Sequence, residues 1–105
     1  MEVVIWSKRV SEFIYSLDLE VSKKTMKLIA LLEEHGHLID MPDSKSLGKG
    51  LFELRLQGKL KVRILYVFKN NKACIIHAFI KKTWEIPYKD MQYARQIQKE
   101  IINIA

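Results

Sequence analysis

The chain has 105 residues, 49% of them hydrophobic, which supports one core but is short for two ordinary domains of about 100 residues each, so we predict a single domain over 1–105. Eighteen Lys and Arg against twelve Asp and Glu give a net charge of +6, which favours a polyanionic partner such as nucleic acid, although many ordinary soluble proteins are equally basic. The single cysteine, Cys74, excludes an internal disulfide, and no apolar run approaches the roughly 18 residues of a membrane span, so we expect a cytoplasmic protein without a membrane partner.

The N-terminal half is predicted to form one strand and two helices. The β-branched run 3–6 indicates a short strand at a sheet margin, and Ser7 is a candidate helix N-cap. Apolar residues then recur at spacings of three and four as far as Gly36, with a break near residues 17–18, which is typical of two amphipathic helices. Residues 37–50 have loop composition and are predicted to connect the helices to the strands.

The C-terminal half alternates between apolar and polar residues in two consecutive runs, 51–57 and 62–68, which predicts an antiparallel hairpin. If both apolar sets share one face, a three-residue loop at 58–60 pairs Arg55 with Arg63, and both arginines then project from the same face.

A second turn and a closing helix complete the predicted order. Asn70-Asn71 is a turn signal, and the largely apolar run 73–80 indicates a strand buried on both faces. A helix is predicted from about Tyr88, after Pro87, to about Ile104. The predicted order is βααβββα in the α+β class.

The sequence lacks the ligand spacing of a zinc site, a phosphate loop or a dinucleotide fingerprint, so we expect neither metal nor cofactor. His35 and His37 flank Gly36, but the more ordinary interpretation is histidine at a helix C-terminus.

The strand half carries a series of basic residues that could track a phosphodiester backbone: Lys45, Lys49, Arg55, Lys59, Lys61, Arg63, Lys81 and Lys82. Cutting RNA without a metal needs a proton acceptor for the ribose 2′-hydroxyl, a proton donor to the leaving oxygen, and fixed cations around the phosphate.

Four residues are candidates for this chemistry. Arg63 lies mid-strand, where its guanidinium could hold two phosphate oxygens, unless it is an ordinary ion-paired arginine. Lys81 and Lys82 end the last strand, where adjacent residues point to opposite faces, so at most one of them should face Arg63 while the chain is extended. His77 is either a general base or a buried structural histidine, and Tyr88 could transfer a proton, stack on a base or cover the core.

Three segments together resemble the HigB-like, phage-derived branch of the RelE/ParE toxins: Leu51-Phe52-Glu53-Leu54-Arg55, Val62-Arg63-Ile64-Leu65-Tyr66, and His77-Ala78-Phe79-Ile80-Lys81-Lys82-Thr83. With Pro87 and the closing helix, the resemblance extends roughly from Trp6 to Glu100. It implies a RelE-like fold, with an antiparallel twisted sheet, two N-terminal helices and a C-terminal helix.

The resemblance also implies a function. Similar proteins are toxins of type II toxin–antitoxin systems that act as endoribonucleases on messenger RNA, often at the ribosome. A small helix-turn-helix antitoxin neutralises them and joins them to operator DNA. We therefore expect messenger RNA, the ribosome and such an antitoxin as partners.

By the same resemblance, Arg63 matches an arginine that contacts the scissile phosphate, Lys82 a supporting basic residue, and Tyr88 a functional tyrosine of some members. Further RNA contacts are expected from the other basic residues: Arg55, Lys81, Lys61, Lys59 and Lys49. Residues 51–54 lack the lysines that ribosome-dependent relatives often carry, so the general base stays open.

Two alternatives remain at this point, because a shared fold does not fix a function. One is a ParE-type inhibitor of DNA gyrase that cuts nothing. The other is a non-catalytic homologue that acts only with its antitoxin at the operator, and the basic charge fits all three functions.

Overall fold

The computed structural model describes residues 1–104. It has three helices, a short 3₁₀ turn and five strands, in the following order: β1 (Glu2–Ile5), α1 (Lys8–Ser16), α2 (Leu19–His35), the 3₁₀ turn (Gly36–Leu38), β2 (Ser44–Gly48), β3 (Leu51–Arg55), β4 (Val62–Lys69), β5 (Lys72–Ile80) and α3 (Tyr88–Ile102). This arrangement confirms the α+β class and is consistent with a RelE-like fold. No helix within residues 1–104 is both long and apolar enough to span a bilayer.

The five strands form one sheet in the order β1-β5-β4-β3-β2. The pairings of β2 with β3, β3 with β4 and β4 with β5 are antiparallel, whereas β1 pairs parallel with β5. The sheet is therefore mixed, and the expected antiparallel arrangement holds for all strands except β1. The short first strand lies at an edge, as its brevity predicted.

The prediction of a loop over residues 37–50 was wrong in part, because Ser44–Gly48 forms the edge strand β2. Only Ser44 of this strand is fully buried, and its hydroxyl is hydrogen-bonded to the buried Tyr66 hydroxyl. The strand is held by backbone pairing with β3 and by Arg95 of α3, which donates to the carbonyls of residues 47 and 48. Residues 44–48 lack the apolar alternation that is the usual sequence signal of a strand, which is why the sequence did not predict β2.

The sheet is buried on both faces. Helices α1 and α2 cover one face, where Ile14 and Leu32 pack with Leu54 and Ile64. Helix α3 covers the other face, where it contributes Ala94 and Ile101 to a second cluster with Leu51, Leu65, Val67 and Ile76. Burial on both faces explains why β4 and β5 are so rich in apolar residues.

A β-bulge in β5 decides which side chains reach the α3 face. Leu65 pairs with His77, but Tyr66 pairs with Ile75, so Ile76 is the extra residue. Beyond this bulge the alternation changes phase. Because Arg63 pairs with Phe79 and Leu65 with His77, these four side chains share the face that α3 covers.

Candidate nucleic-acid interface

The hairpin of β3 and β4 places Arg55 directly opposite Arg63, which confirms the register predicted from the alternation of the two strands. Residues 56–61 connect the strands, which makes the connection longer than the predicted three-residue loop at 58–60, and the backbone NH of Leu56 donates to the carbonyl of Val62 at 3.1 Å. Both arginines therefore start from the same face of the sheet, at the end of the hairpin.

Arg63 is held tightly by its surroundings, and only 3% of its surface is exposed. Its Nη1 donates to the carbonyls of Leu56 and Val62, each at 3.0 Å. Its Nε lies 3.7 Å from a carboxylate oxygen of Glu53, while the Nε of Arg55 lies 3.6 Å from the other oxygen. Two arginines thus share one carboxylate, and we call these three residues the Arg–Glu–Arg triad.

Burial dominates the electrostatics of the triad. Desolvation lowers the pKa of Arg63 below its ordinary value, the Glu53 carboxylate opposes that shift, and the nearby charge of Arg55 adds to it. Arginine stays protonated in proteins at neutral pH, because its guanidinium group delocalises the charge. The triad therefore carries a net charge of about +1 at neutral pH, from two guanidinium groups and one carboxylate.

An open cleft of about 790 Å³ begins at the triad. Seven basic residues line it: Lys45, Arg55, Lys59, Lys61, Arg63, Lys81 and Lys82. The other lining residues are Leu60, Ile80, Thr83 and Trp84, and none of the described residues that line this cleft is acidic. We call this feature the basic cleft.

The basic cleft brings together six of the residues predicted from sequence to contact RNA or to act in catalysis: Arg55, Lys59, Lys61, Arg63, Lys81 and Lys82. They come from the end of the hairpin and from the end of β5. The backbone NH of Lys81 donates to the carbonyl of Lys61 at 2.8 Å, and this hydrogen bond joins the two parts. Both Lys81 and Lys82 line the cleft, and both follow Ile80, the last residue of β5. The expectation that only one of them faces the cleft applied to a continuing strand.

His77 lies outside the residues that line the basic cleft. Its ring is 6% exposed, and its Nε2 is 2.7 Å from an Oδ of Asp90 at the start of α3. It also contacts the rings of Phe79 and Tyr93, at centroid distances of 5.4 and 4.9 Å. These contacts are those of a histidine that fastens β5 to α3.

Tyr88 and Lys49 are likewise separate from the basic cleft. Tyr88 is the first residue of α3, is 75% exposed, and accepts a hydrogen bond from Gln92 at 2.8 Å. Lys49 lies in the β2–β3 turn at a φ of 52°, and its carbonyl accepts from Gln98 of α3 at 2.7 Å. The roles predicted for both in RNA chemistry stay predictions.

Two residues at the site were missed. Glu53 is 3% exposed, and its signal in the sequence was a single acidic residue among apolar neighbours in a strand. Trp84 is 96% exposed and lines the basic cleft; it directly follows Lys81-Lys82-Thr83, where its position beside a basic pair could have drawn attention. In residues 1–104, no group of three or more His, Cys, Asp and Glu is placed to hold a metal ion.

The fold and the cleft define a small α+β protein of the RelE-like type. The family model for phage-derived protein Gp49-like (DUF891) matches residues 12–99, which is most of the chain. The chain therefore belongs to this Gp49-like family of phage-derived proteins, a RelE/toxin-like family. A comparison with curated proteins gives no match.

Proposed function

We propose that the protein is the toxin of a type II toxin–antitoxin system, of the HigB-like branch, and that it cleaves messenger RNA at the ribosome. One observation carries this proposal. The basic cleft gathers seven cations from β2, the β3–β4 hairpin and the end of β5, and no carboxylate of residues 1–104 lines it, on a protein of a RelE/toxin-like family. Such a cleft is suited to a phosphodiester backbone.

The chemistry proposed is attack by a ribose 2′-hydroxyl on the adjacent phosphate. The bond from the 2′ oxygen to phosphorus forms and the bond to the 5′ oxygen breaks, so the products are a 2′,3′-cyclic phosphate and a 5′-hydroxyl. The 2′-hydroxyl proton passes to an acceptor, and a donor protonates the leaving oxygen. Cations that are already fixed around the phosphate stabilise the added charge of the transition state.

The residues divide these tasks by their placement. Arg63 is immobilised by two carbonyls and Glu53, so it is suited to orient a phosphate rather than to exchange protons. Lys82 is exposed and lines the same cleft, and we assign it the protonation of the leaving oxygen. His77 and Tyr88 stay candidates for proton transfer, although neither lines the cleft.

The test is to induce Lys82→Ala and the wild type in cells without an antitoxin and to map the 5′ ends of messenger RNA. Loss of a general acid lowers cleavage by about 10²- to 10⁴-fold. Lys23→Ala is the matched control, because it removes one exposed lysine from α2, away from the cleft, and should leave cleavage unchanged.

Each outcome has a distinct meaning. In-frame cuts within coding regions that disappear in Lys82→Ala support a ribosome-associated nuclease. Growth arrest with uncut messenger RNA would contradict the proposal and favour inhibition of gyrase, and the absence of arrest would favour a protein that acts only with its antitoxin at the operator. Co-expression of a neighbouring helix-turn-helix protein should relieve the arrest if it is the antitoxin.

A further inference from the structure

Trp84 has the highest exposed fraction of the large hydrophobic side chains in the described part of the chain. It is 96% exposed, although an indole ring is among the largest apolar groups a protein can bury. The chain has one other tryptophan, Trp6, whose exposed fraction is 37%. A nearly free indole contributes little to the hydrophobic core, so its position is not explained by the folding of the protein.

The segment that carries Trp84 is fastened on both sides. On one side, Lys81 is joined by its backbone NH to the carbonyl of Lys61. On the other side, Thr83 donates to the carbonyl of Glu85 at 2.7 Å, and Ile86 packs against the α3 core. The ring therefore lies on a connection between β5 and α3 whose neighbouring residues are held by hydrogen bonds and packing.

The surroundings of the ring are strongly positive. Trp84 lines the basic cleft together with seven cations, and among the described residues that line the cleft it is the only aromatic one. Cations attract phosphates but leave the bases of a strand unbound. An aromatic face beside a phosphate track is the arrangement that proteins use to bind single-stranded nucleic acid, because every base presents a π face that can stack.

We propose that Trp84 is a stacking platform for one unpaired base of the RNA strand whose phosphates lie along the basic cleft. That the strand is RNA rests on the proposed function. The platform adds that the RNA is single-stranded where it binds. Paired bases are stacked on their neighbours and do not expose a face to the indole, so a duplex is a poor ligand for this site.

The experiment measures binding apart from cleavage. The ligand is a fluorescently labelled single-stranded hexanucleotide with 2′-deoxyriboses, which lacks the attacking hydroxyl and cannot be cut by the chemistry proposed above. Titration of the purified full-length protein compares the wild type with Trp84→Ala, Trp84→Phe and the matched control Trp6→Phe. Stacking of one base corresponds to an affinity loss on the order of 5- to 150-fold in Trp84→Ala.

Two further measurements separate stacking from charge. An abasic hexanucleotide with the same phosphates should bind wild type and Trp84→Ala equally, because it offers no base. In the Trp6→Phe background, where Trp84 is the sole tryptophan, its emission should be quenched by the hexanucleotide and much less by the abasic strand. Trp84→Phe should recover most of the lost affinity, because a phenyl ring also stacks.

Equal binding of the hexanucleotide by wild type and Trp84→Ala would overturn the inference, and so would equal quenching by the abasic strand. Quenching by a co-purified antitoxin but by no oligonucleotide would also overturn it and would assign the ring to a protein contact. The outcome is separable from the proposed function. Trp84-dependent binding of the hexanucleotide, together with messenger RNA that stays uncut in induced cells, would leave the platform and remove the nuclease. Lys82-dependent cleavage of messenger RNA in cells that is the same in wild type and Trp84→Ala would do the reverse.

Discussion

The Arg–Glu–Arg triad makes a quantitative prediction about a double-mutant cycle with Glu53→Leu and Arg63→Met. Both side chains are 3% exposed, so removing one partner leaves the other charge buried. Loss of one member of a buried ion pair costs about 3–5 kcal/mol, a large part of the roughly 5–15 kcal/mol that stabilises a domain of this size.

The two single variants are not equivalent. Glu53→Leu leaves two arginines facing each other without a carboxylate, so it should lie at the upper end of that range. Arg63→Met leaves Glu53 with Arg55, whose side chain is 23% exposed and can also reach water, so it should lie at the lower end.

The double variant removes both buried charges. It gives up the hydrogen bond to the Leu56 carbonyl, which costs about 1–3 kcal/mol, whereas the carbonyl of Val62 still accepts from the Leu56 NH. We therefore expect the double variant to be more stable than either single one, although independent losses would sum to about 6–10 kcal/mol.

The assay is urea unfolding followed by far-ultraviolet circular dichroism, together with cleavage of RNA by each variant under conditions where it is folded. A double variant as unstable as the sum of the singles would refute the triad as a coupled unit. The cycle also separates stability from function: a folded double variant that still cuts RNA at the wild-type rate would remove Arg63 from the proposed phosphate site.

Two other predictions concern groups away from the basic cleft. Asp90→Ala should destabilise the fold by about 1–3 kcal/mol, because it removes the partner of the buried His77, yet it should leave messenger RNA cleavage by the folded protein unchanged. Thermal melts of the purified variant and 5′-end mapping of messenger RNA in induced cells test this, and a loss of cleavage by a variant that is still folded would return His77 to the catalytic site. Burial raises the pKa of Tyr66 above its ordinary value of 10.0 despite the hydrogen bond to Ser44, so its contribution to stability is complete below about pH 10 and is lost as the pH rises through the higher folded-state pKa. Urea midpoints from about pH 8 to about pH 11 should fall less steeply in Tyr66→Phe than in the wild type, and equal slopes would contradict this account.

The sequence predicted the hairpin well because its signal is local. Alternation in β3 and β4 sets which side chains share a face, and a short turn fixes the register, so the pairing of Arg55 with Arg63 followed from parity. The helices and β5 were also predictable, since each carries an apolar pattern of the right period. Strand β2 was not, because its pairing depends on backbone groups and on contacts from α3.

The surroundings of His77 could not be predicted for a different reason. Simple alternation along β5 places His77 on the same face as Ala73 and Ile75, against α1 and α2. The bulge at Ile76 reverses this, so that His77 lies on the α3 face and meets Asp90. A bulge adds one residue without a characteristic sequence, and it changes the face of every residue that follows.

Glu53 explains how a mid-strand arginine can be buried and still leave positive charge beside the basic cleft. Its carboxylate offsets one of two guanidinium charges, so the triad retains about one positive charge next to the basic cleft. An arginine buried without a carboxylate would carry a prohibitive desolvation cost, whereas one fully neutralised would attract a phosphate weakly. Because Arg55 and Arg63 share one carboxylate, the desolvation cost and the attraction for phosphate both lie between these limits. The exposed lysines Lys59 and Lys82 supply a longer-range attraction, which added salt should screen.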